Sequence, residues 1–265
     1  LPTNVVHGWL RTVWMLEDQE TADGVLAFFE LGPSTEREAL LPDYKANRDA
    51  APADLEKQVP WVKRLTETLG IPVIEKEGIE ADDLMACAAL KLADRGDEAL
   101  LVSADKDLAQ MVRPGIRQLL PPPTANPRLG WRMLNREDVE KKFGVGPDRI
   151  PDYLALIGDN SDNIPGLAGV GPKTAAKWLL EYGDLESIIA KANYLKPPRF
   201  QQKVAAQADD LRRNLKMVTL DVSHSVDGLK PREPVDVEAV VAILDELEMK
   251  TAARDCRKRY GGEDG

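Results

Sequence analysis

The chain has 265 residues, 43% of them hydrophobic and 30% charged, which is ample for a buried core and one or two domains. No stretch approaches the roughly 18 apolar residues of a membrane span, and no charged segment followed by an apolar one is seen at the start, as in a signal peptide. Two cysteines are too few for a disulfide framework and lack zinc spacing, which fits a reducing, cytoplasmic setting; the net charge of −10, taken as a total, argues against nucleic-acid binding.

In chain order, the apolar residues Val5, Trp9, Leu10, Val13 and Leu16 follow a helical period. Gly24–Phe29 (GVLAFF) is a short apolar run of the kind a buried parallel strand uses. Residues 33–52 are mostly polar and charged and read as an exposed or mobile segment. Patterning then predicts a helix over 54–69, a strand over 71–74, a helix over 81–93, a strand over 99–102 and a short helix over 106–112. Strands alternating with helices imply an α/β fold with a mostly parallel central sheet flanked by helices. Residues 114–134 contain PPPTANP and read as a loop or hairpin. Asn135 with Asp138 three residues on predicts a capped helix to Phe143. Helices follow over 151–157, 173–182, 185–192, 199–215 and 237–248, with no convincing strand. The expected division is therefore an α/β region over 1–134 and a helical region over 135–265.

Three groups of acids stand at strand ends or helix starts. Glu80, Asp82 and Asp83 lie in GIEADDL, before a helix; Asp105 and Asp107 lie in VSADKDL, after a buried strand; Asp159 and Asp162 lie in IGDNSDNIPG. Ligand sites of parallel sheets form at the carboxyl ends of strands. Asp159 and Asp162 are three apart and share a face if their turn is helical. Seven converging carboxylates repel one another unless cations neutralise them. Oxygen donors without Cys or His select Mg²⁺ or Mn²⁺, and two such ions are a device for in-line phosphodiester hydrolysis.

The segment IPGLAGVGPKTAAKWL places Gly169 and Gly171 around Val170 just before a helix, with Lys173, Thr174 and Lys177 behind. Glycines let a backbone approach a phosphate, and helix amides with lysines favour an anion. From Val170 to Leu220 there are nine Lys/Arg against five Asp/Glu, an asymmetry the total charge hides. Arg37, Tyr44, Lys45 and Arg48 lie on the polar segment, where the cations suit a phosphate and Tyr44 suits base stacking.

At LLPDYKANR, GIEADDL, VSADKDLAQMV and PDYLALIGDNSDNIPGLAGVGPKTAAKWL, in this order, the chain resembles the prokaryotic 5′-nuclease (flap endonuclease) family, which includes the 5′→3′ exonuclease domain of bacterial DNA polymerase I. The likeness covers nearly the whole chain. It implies a PIN-like α/β core, a helical arch (about 33–52) and a helix–three-turn–helix motif (about 150–192) that binds duplex DNA, often with a K⁺ ion. It implies Mg²⁺- or Mn²⁺-dependent hydrolysis, by two ions, of 5′ flaps and nicked or gapped duplex. Glu80, Asp82 and Asp105 would serve the first ion; Asp107, Asp159 and Asp162 the second, with Asp83 close by. Lys45 and Arg48, with Tyr44 beside them, would orient the scissile phosphate. Arg37, Gly169, Gly171, Lys173, Thr174 and Lys177 would meet DNA.

Two departures stand out. The family opens with a strand bearing an Asp, which is not represented here, so the native protein is expected to extend N-terminally. Where the family has an Asp after the strand corresponding to 26–29, this chain has Glu30, whose carboxylate reaches one methylene further. The leading expectation is a monomeric, cytoplasmic and nucleoid-associated structure-specific 5′ nuclease acting in replication or repair. The alternative is a metal-impaired DNA-junction binding module of the same fold. A fused or associated polymerase fits either; an RNA-cleaving nuclease with a similar acidic edge is disfavoured by the glycine turn.

Overall fold

The computed structural model describes residues 2–20 and 22–261. Helix α1 (Asn4–Gln19) turns Val6, Leu10 and Val13 inward. Strand β1 (Ala27–Phe28) follows, then α2 (Thr35–Leu40), capped by the Ser34 hydroxyl accepting from the Arg37 amide. The one helix expected over 54–69 is two, α3 (Ala53–Glu56) and α4 (Val59–Thr68). Pro60 decides this: with no amide to donate, it sits in the first turn of α4, where none is needed. Strand β2 (Val73–Ile74) pairs in parallel with β1. Helix α5 (Ala81–Asp94) and β3 (Ala99–Val102) lie as expected, followed by a 3₁₀ turn over Asp107–Met111.

Strand β4 (Ile116–Leu120) runs parallel to β3, and β5 (Arg132–Leu134) returns antiparallel to β4, so residues 114–134 form a hairpin. Asn135 and Asp138 cap α6 (Arg136–Phe143) reciprocally, as the spacing predicts. Helix α7 (Ile150–Ile157) leads into a two-strand hairpin, β6 (Gly158–Asp159) and β7 (Ile164–Pro165), where no strand was expected. Helices α8 (Pro172–Tyr182) and α9 (Leu185–Ala190) follow. The helix expected over 199–215 is interrupted at Gln207, giving α10 (Gln201–Ala206) and α11 (Ala208–Val218). Helices α12 (Val237–Glu246) and α13 (Lys250–Tyr260) end the description; α13 was not anticipated, its surface being dominated by basic residues.

Contacts divide the chain into two compact units that interleave along the sequence. One holds the chain up to Phe29, Asp49–Glu75 and the chain from Val226 on. Its core joins Leu10, Leu65, Ile71, Val240 and Ile243. Glu17 is clasped there by Arg232, Arg259 and the Tyr260 hydroxyl. The other unit is Glu30–Arg48 with Lys76–Ser225. Its larger core surrounds Leu154, Trp178 and Phe200, and a smaller one joins α5, β3 and β4 through Ala86, Leu101 and Ile116. Its described sheets are short: the three strands β3–β4–β5 and the hairpin β6–β7. All the acidic groups, and Glu30, belong to this second unit.

Candidate active site

The acids of GIEADDL are placed by a helix start. Glu80 is the N-cap of α5, and Asp82 and Asp83 occupy its first turn, where the helix dipole favours carboxylates. Asp105 and Asp107 follow β3 in a turn closed by short bonds: the Asp105 amide donates to Ser103 Oγ at 3.1 Å and the Asp107 amide to Asp105 Oδ1 at 2.8 Å. Gln118, fully buried on β4, pins this turn by donating to the carbonyls of Ser103 and Asp105 at 3.0 and 2.7 Å.

Asp159 and Asp162 sit on the β6–β7 hairpin, not on a helical face. Glycine makes that hairpin possible. Gly158 has φ +77°, and a methyl group there would come within 2.3 Å of the Gly166 nitrogen. One carboxylate oxygen from each of Asp107, Asp159 and Asp162 lies within 4.8 Å of the other two. Among the described residues this is the one acidic group so gathered; Glu80, Asp82 and Asp105 do not close to that spacing.

Residues 43–47 of the segment read as exposed or mobile are docked on the hairpin. The Lys45 amide donates to the Asp162 carbonyl at 3.0 Å, Asn47 Nδ2 to Asn160 O at 2.6 Å, and Asn163 Nδ2 to Asp43 O at 2.7 Å. Lys45, at φ +56°, turns its ammonium to Glu80 at 2.5 Å and to Glu30 at 3.6 Å. Arg48 pairs with Asp162. Lys45 and Arg48 therefore stand over the acids. A cavity of about 100 Å³ is lined by Glu30, Lys45 and Arg48 together with Asp82, Asp105 and Asp107.

Three residues are placed otherwise than the sequence suggested. Tyr44 is 7% exposed, and its hydroxyl is bonded to Glu80 and Asp162, so its ring is not free to stack a base. Arg37 is also 7% exposed. Its guanidinium grips both oxygens of Asp83 at 2.6 and 2.9 Å, lies 3.1 Å from Glu80 and donates to the Met217 carbonyl at 2.9 Å. It thus ties α2 to α5 and α11, while also lining the acidic cavity. Asp83, so engaged, also accepts from the Asp221 amide at 2.8 Å and does not line the cavity.

The glycine turn lies at the start of α8, with Gly169 at φ +86°, Gly171 as N-cap, and Lys173 and Lys177 exposed on the helix. Val170 is buried in the core, which fixes the turn from beneath.

Two family models together span the chain from residue 1 to 251: the 5′-3′ exonuclease N-terminal resolvase-like domain over 1–144 and the 5′-3′ exonuclease C-terminal SAM fold over 145–251. The chain belongs to the 5′-3′ exonuclease family. It is 38% identical over 264 residues to a 5′-3′ exonuclease of Aquifex aeolicus, covering 98% of this chain and 87% of that one. It is 35% identical to the thermostable DNA polymerase I of Thermus filiformis, covering 93% of this chain but 29% of the polymerase. The fold matches the T5 D15 protein co-crystallised with metal ions, with a TM-score of 0.69 at 23% identity over 95% of this chain and 91% of that one. It also matches a T5 D15 flap endonuclease in a pseudo-enzyme-product complex with DNA and metal ions, with a TM-score of 0.68 at 23% identity over 95% and 89% of the two chains.

In this exonuclease-family chain the carboxylates carry the electrostatic signature of a cation site. Burial, then Asp105, Glu30 and Glu80, push Asp82 up to about 7. Burial, then Asp105 and Asp159, hold Asp107 well above the usual carboxylate range, and its buried Oδ1 has no hydrogen-bond partner. Burial would raise Asp159 too, but Lys106 at 2.8 Å and Ser161 outweigh it and hold Asp159 below the usual range. An orphaned buried oxygen within a hard-oxygen triad fits a divalent cation. Burial would lower Lys45, yet Glu80, Glu30 and Asp162 raise it, so it stays charged.

Sequence reasoning missed Lys106 and Gln118. Lys106 stands between the two acids of VSADKDL, and its charge among carboxylates was a legible cue. Gln118 interrupts the apolar strand IRQLL, a polar residue at a core position that needs partners. The partners themselves were not legible.

Proposed function

We propose that the chain is a structure-specific 5′ nuclease that hydrolyses DNA phosphodiester bonds at flaps, nicks and 5′ ends with the help of Mg²⁺ or Mn²⁺. The observation that carries this reading is the Asp107–Asp159–Asp162 triad, with an unpartnered buried Asp107 oxygen, beside Arg48 paired to Asp162 and Lys45 paired to the neighbouring Glu80. The triad would hold one ion; Glu80, Asp82 and Asp105, with Glu30, would hold the other. When bound, divalent ions offset phosphate charge and ease deprotonation of the attacking water.

The chain's own groups do the rest. Lys106 keeps Asp159 ionised as a ligand. Gln118 holds the Asp105–Asp107 turn in place. Lys45 and Arg48 are ion-paired with site carboxylates, so a scissile phosphate offers them an alternative anionic partner. Gly169, Gly171, Lys173, Thr174 and Lys177 form a backbone-and-cation surface for the phosphates of a duplex, which needs no base readout. The resemblance extends the proposal to a K⁺ ion at the glycine turn, a monomeric chain, a cytoplasmic and nucleoid-associated setting, and work alongside or within a DNA polymerase. No helix among the described residues is long and apolar enough to cross a membrane.

The test is a 5′-labelled flap duplex incubated with the protein in Mg²⁺ and in EDTA. Flap release in Mg²⁺ alone is expected. A band shift without cleavage in either would favour the binding module, in which Glu30 fails as a ligand.

A further inference from the structure

We infer that Arg199 and Lys203 widen the glycine turn into a longer contact for the phosphate backbone of double-stranded DNA, an assignment that rests on the nuclease reading above. Neither residue belongs to the glycine segment, and packing alone brings them there. Phe200 is buried and meets Trp178 of α8 edge-on at 5.3 Å, while Trp178 Nε1 donates to the Lys196 carbonyl at 2.9 Å. A methyl group on Gly169 would lie 3.5 Å from the Phe200 ring, and Lys203 Nζ donates to the Ala168 carbonyl at 3.4 Å. Residues 195–203 are thus laid along the turn from Ala168 to Gly169. The Arg199 guanidinium and Lys203 ammonium sit 4.9 and 5.8 Å from the centre of the Phe200 ring. That ring limits their swing and lowers the ordering cost of a contact.

Charge pairing supplies a second, independent observation. Arg149, Arg212 and Arg213, all of the same unit, are ion-paired with acids. Between residues 166 and 207 the chain has six cations (Lys173, Lys177, Lys191, Lys196, Arg199 and Lys203) and three acids. Of these acids, Asp184 caps α9 and Glu186 is taken by Arg212. Among the described residues none of the six cations has a carboxylate partner. In a chain of net charge −10, an exposed strip of unpaired cations beside a glycine turn is complementary to a polyanion. Its spread, from Lys173 on α8 to Lys203 on α10, suits successive phosphates of a duplex more than one small anion.

The experiment measures binding of a fluorescent duplex, and of one of its single strands, in Ca²⁺ over a series of salt concentrations. It compares the wild type, Arg199→Gln/Lys203→Gln and the charge-retaining Arg199→Lys/Lys203→Arg, with circular dichroism as the folding control. The neutral pair is expected to bind duplex about tenfold more weakly and to flatten the salt slope by about two units. The charge-retaining pair should restore most of both, and the single strand should change less. An unchanged duplex affinity and slope would overturn the assignment, as would failure of the charge-retaining pair to restore them. An equal loss on single strand would overturn the duplex contact. Failure of the wild type to bind any DNA would instead overturn the nuclease reading itself.

Discussion

At the residue scale the site is built from groups whose charges are not at rest. Asp107 is half-buried beside Asp105 and Asp159, with one oxygen enclosed, and its carboxyl is held well above the usual range. Replacing it with a neutral isostere removes that strain. Asp107→Asn is therefore expected to abolish Mg²⁺-dependent cleavage while raising the melting temperature of the metal-free protein at pH 7.5 by about 2–5 °C. Calorimetry in EDTA and a flap assay read the two effects; cleavage by the variant at the wild-type rate would remove Asp107 from the ligand set. Glu30 is half exposed and 3.6 Å from Lys45. If its longer side chain sets the geometry of the first ion, Glu30→Asp should raise activity severalfold at limiting Mg²⁺; equal or lower activity would show an adapted ligand.

Arg37 illustrates how a residue type misleads. An arginine on a polar segment reads as a phosphate ligand, yet here it is a buried partner of Asp83 and of the α11 carbonyl end. Arg37→Ala strands the Asp83 carboxylate and is expected to cost about 3–5 kcal/mol in urea unfolding. A mere drop in DNA affinity at unchanged stability would return Arg37 to the DNA surface.

At the element scale the decisive piece is the β6–β7 hairpin. It presents Asp159 and Asp162, and it also receives the 43–48 segment through Asn160, Asp162 and Asn163. Gly158 and Gly166 let its two arms close: a methyl on Gly166 would come within 2.3 Å of the Ile157 carbonyl oxygen. Gly158→Ala combines a positive φ with a backbone clash and should destabilise the protein by about 3 kcal/mol or more. Any folded fraction should show weakened metal binding by calorimetric titration, since two of the three triad carboxylates shift together. This element was not legible as a hairpin. Its strands have two residues each, too short for period-2 alternation to show, whereas the Asn135–Asp138 cap was legible because both partners are three residues apart.

At the scale of the whole molecule, stability should follow pH with a definite sign. Burial and neighbouring carboxylates push Asp82 up to about 7 and Asp107 well above its usual value, so between pH 4 and pH 7 these two groups hold more protons in the folded state than in the unfolded one. Their contribution is favourable at the acid end of that window and is lost as pH rises. Asp159, lowered by Lys106 and Ser161 against burial, acts oppositely, and its window lies below the ordinary carboxylate value. In EDTA the melting temperature is therefore expected to fall from pH 5 to pH 8, and Mg²⁺ should raise it more at pH 8 than at pH 5. A Mg²⁺ effect independent of pH would detach these carboxyls from the ion.

The sequence by itself determined the order of the acids, their placement at strand ends and helix starts, the glycine turn and the family. Those features depend on residues a few positions apart, where periodicity, caps and glycine freedom act locally. Tertiary structure alone decided which of those groups meet. Arg37 finds Asp83 across 46 positions and Met217 across 180, and Tyr44 meets Asp162 across 118. No pattern along the chain encodes such pairings. They follow from burial, which makes an enclosed charge or hydroxyl costly without a partner, and from packing, which limits the partners within reach.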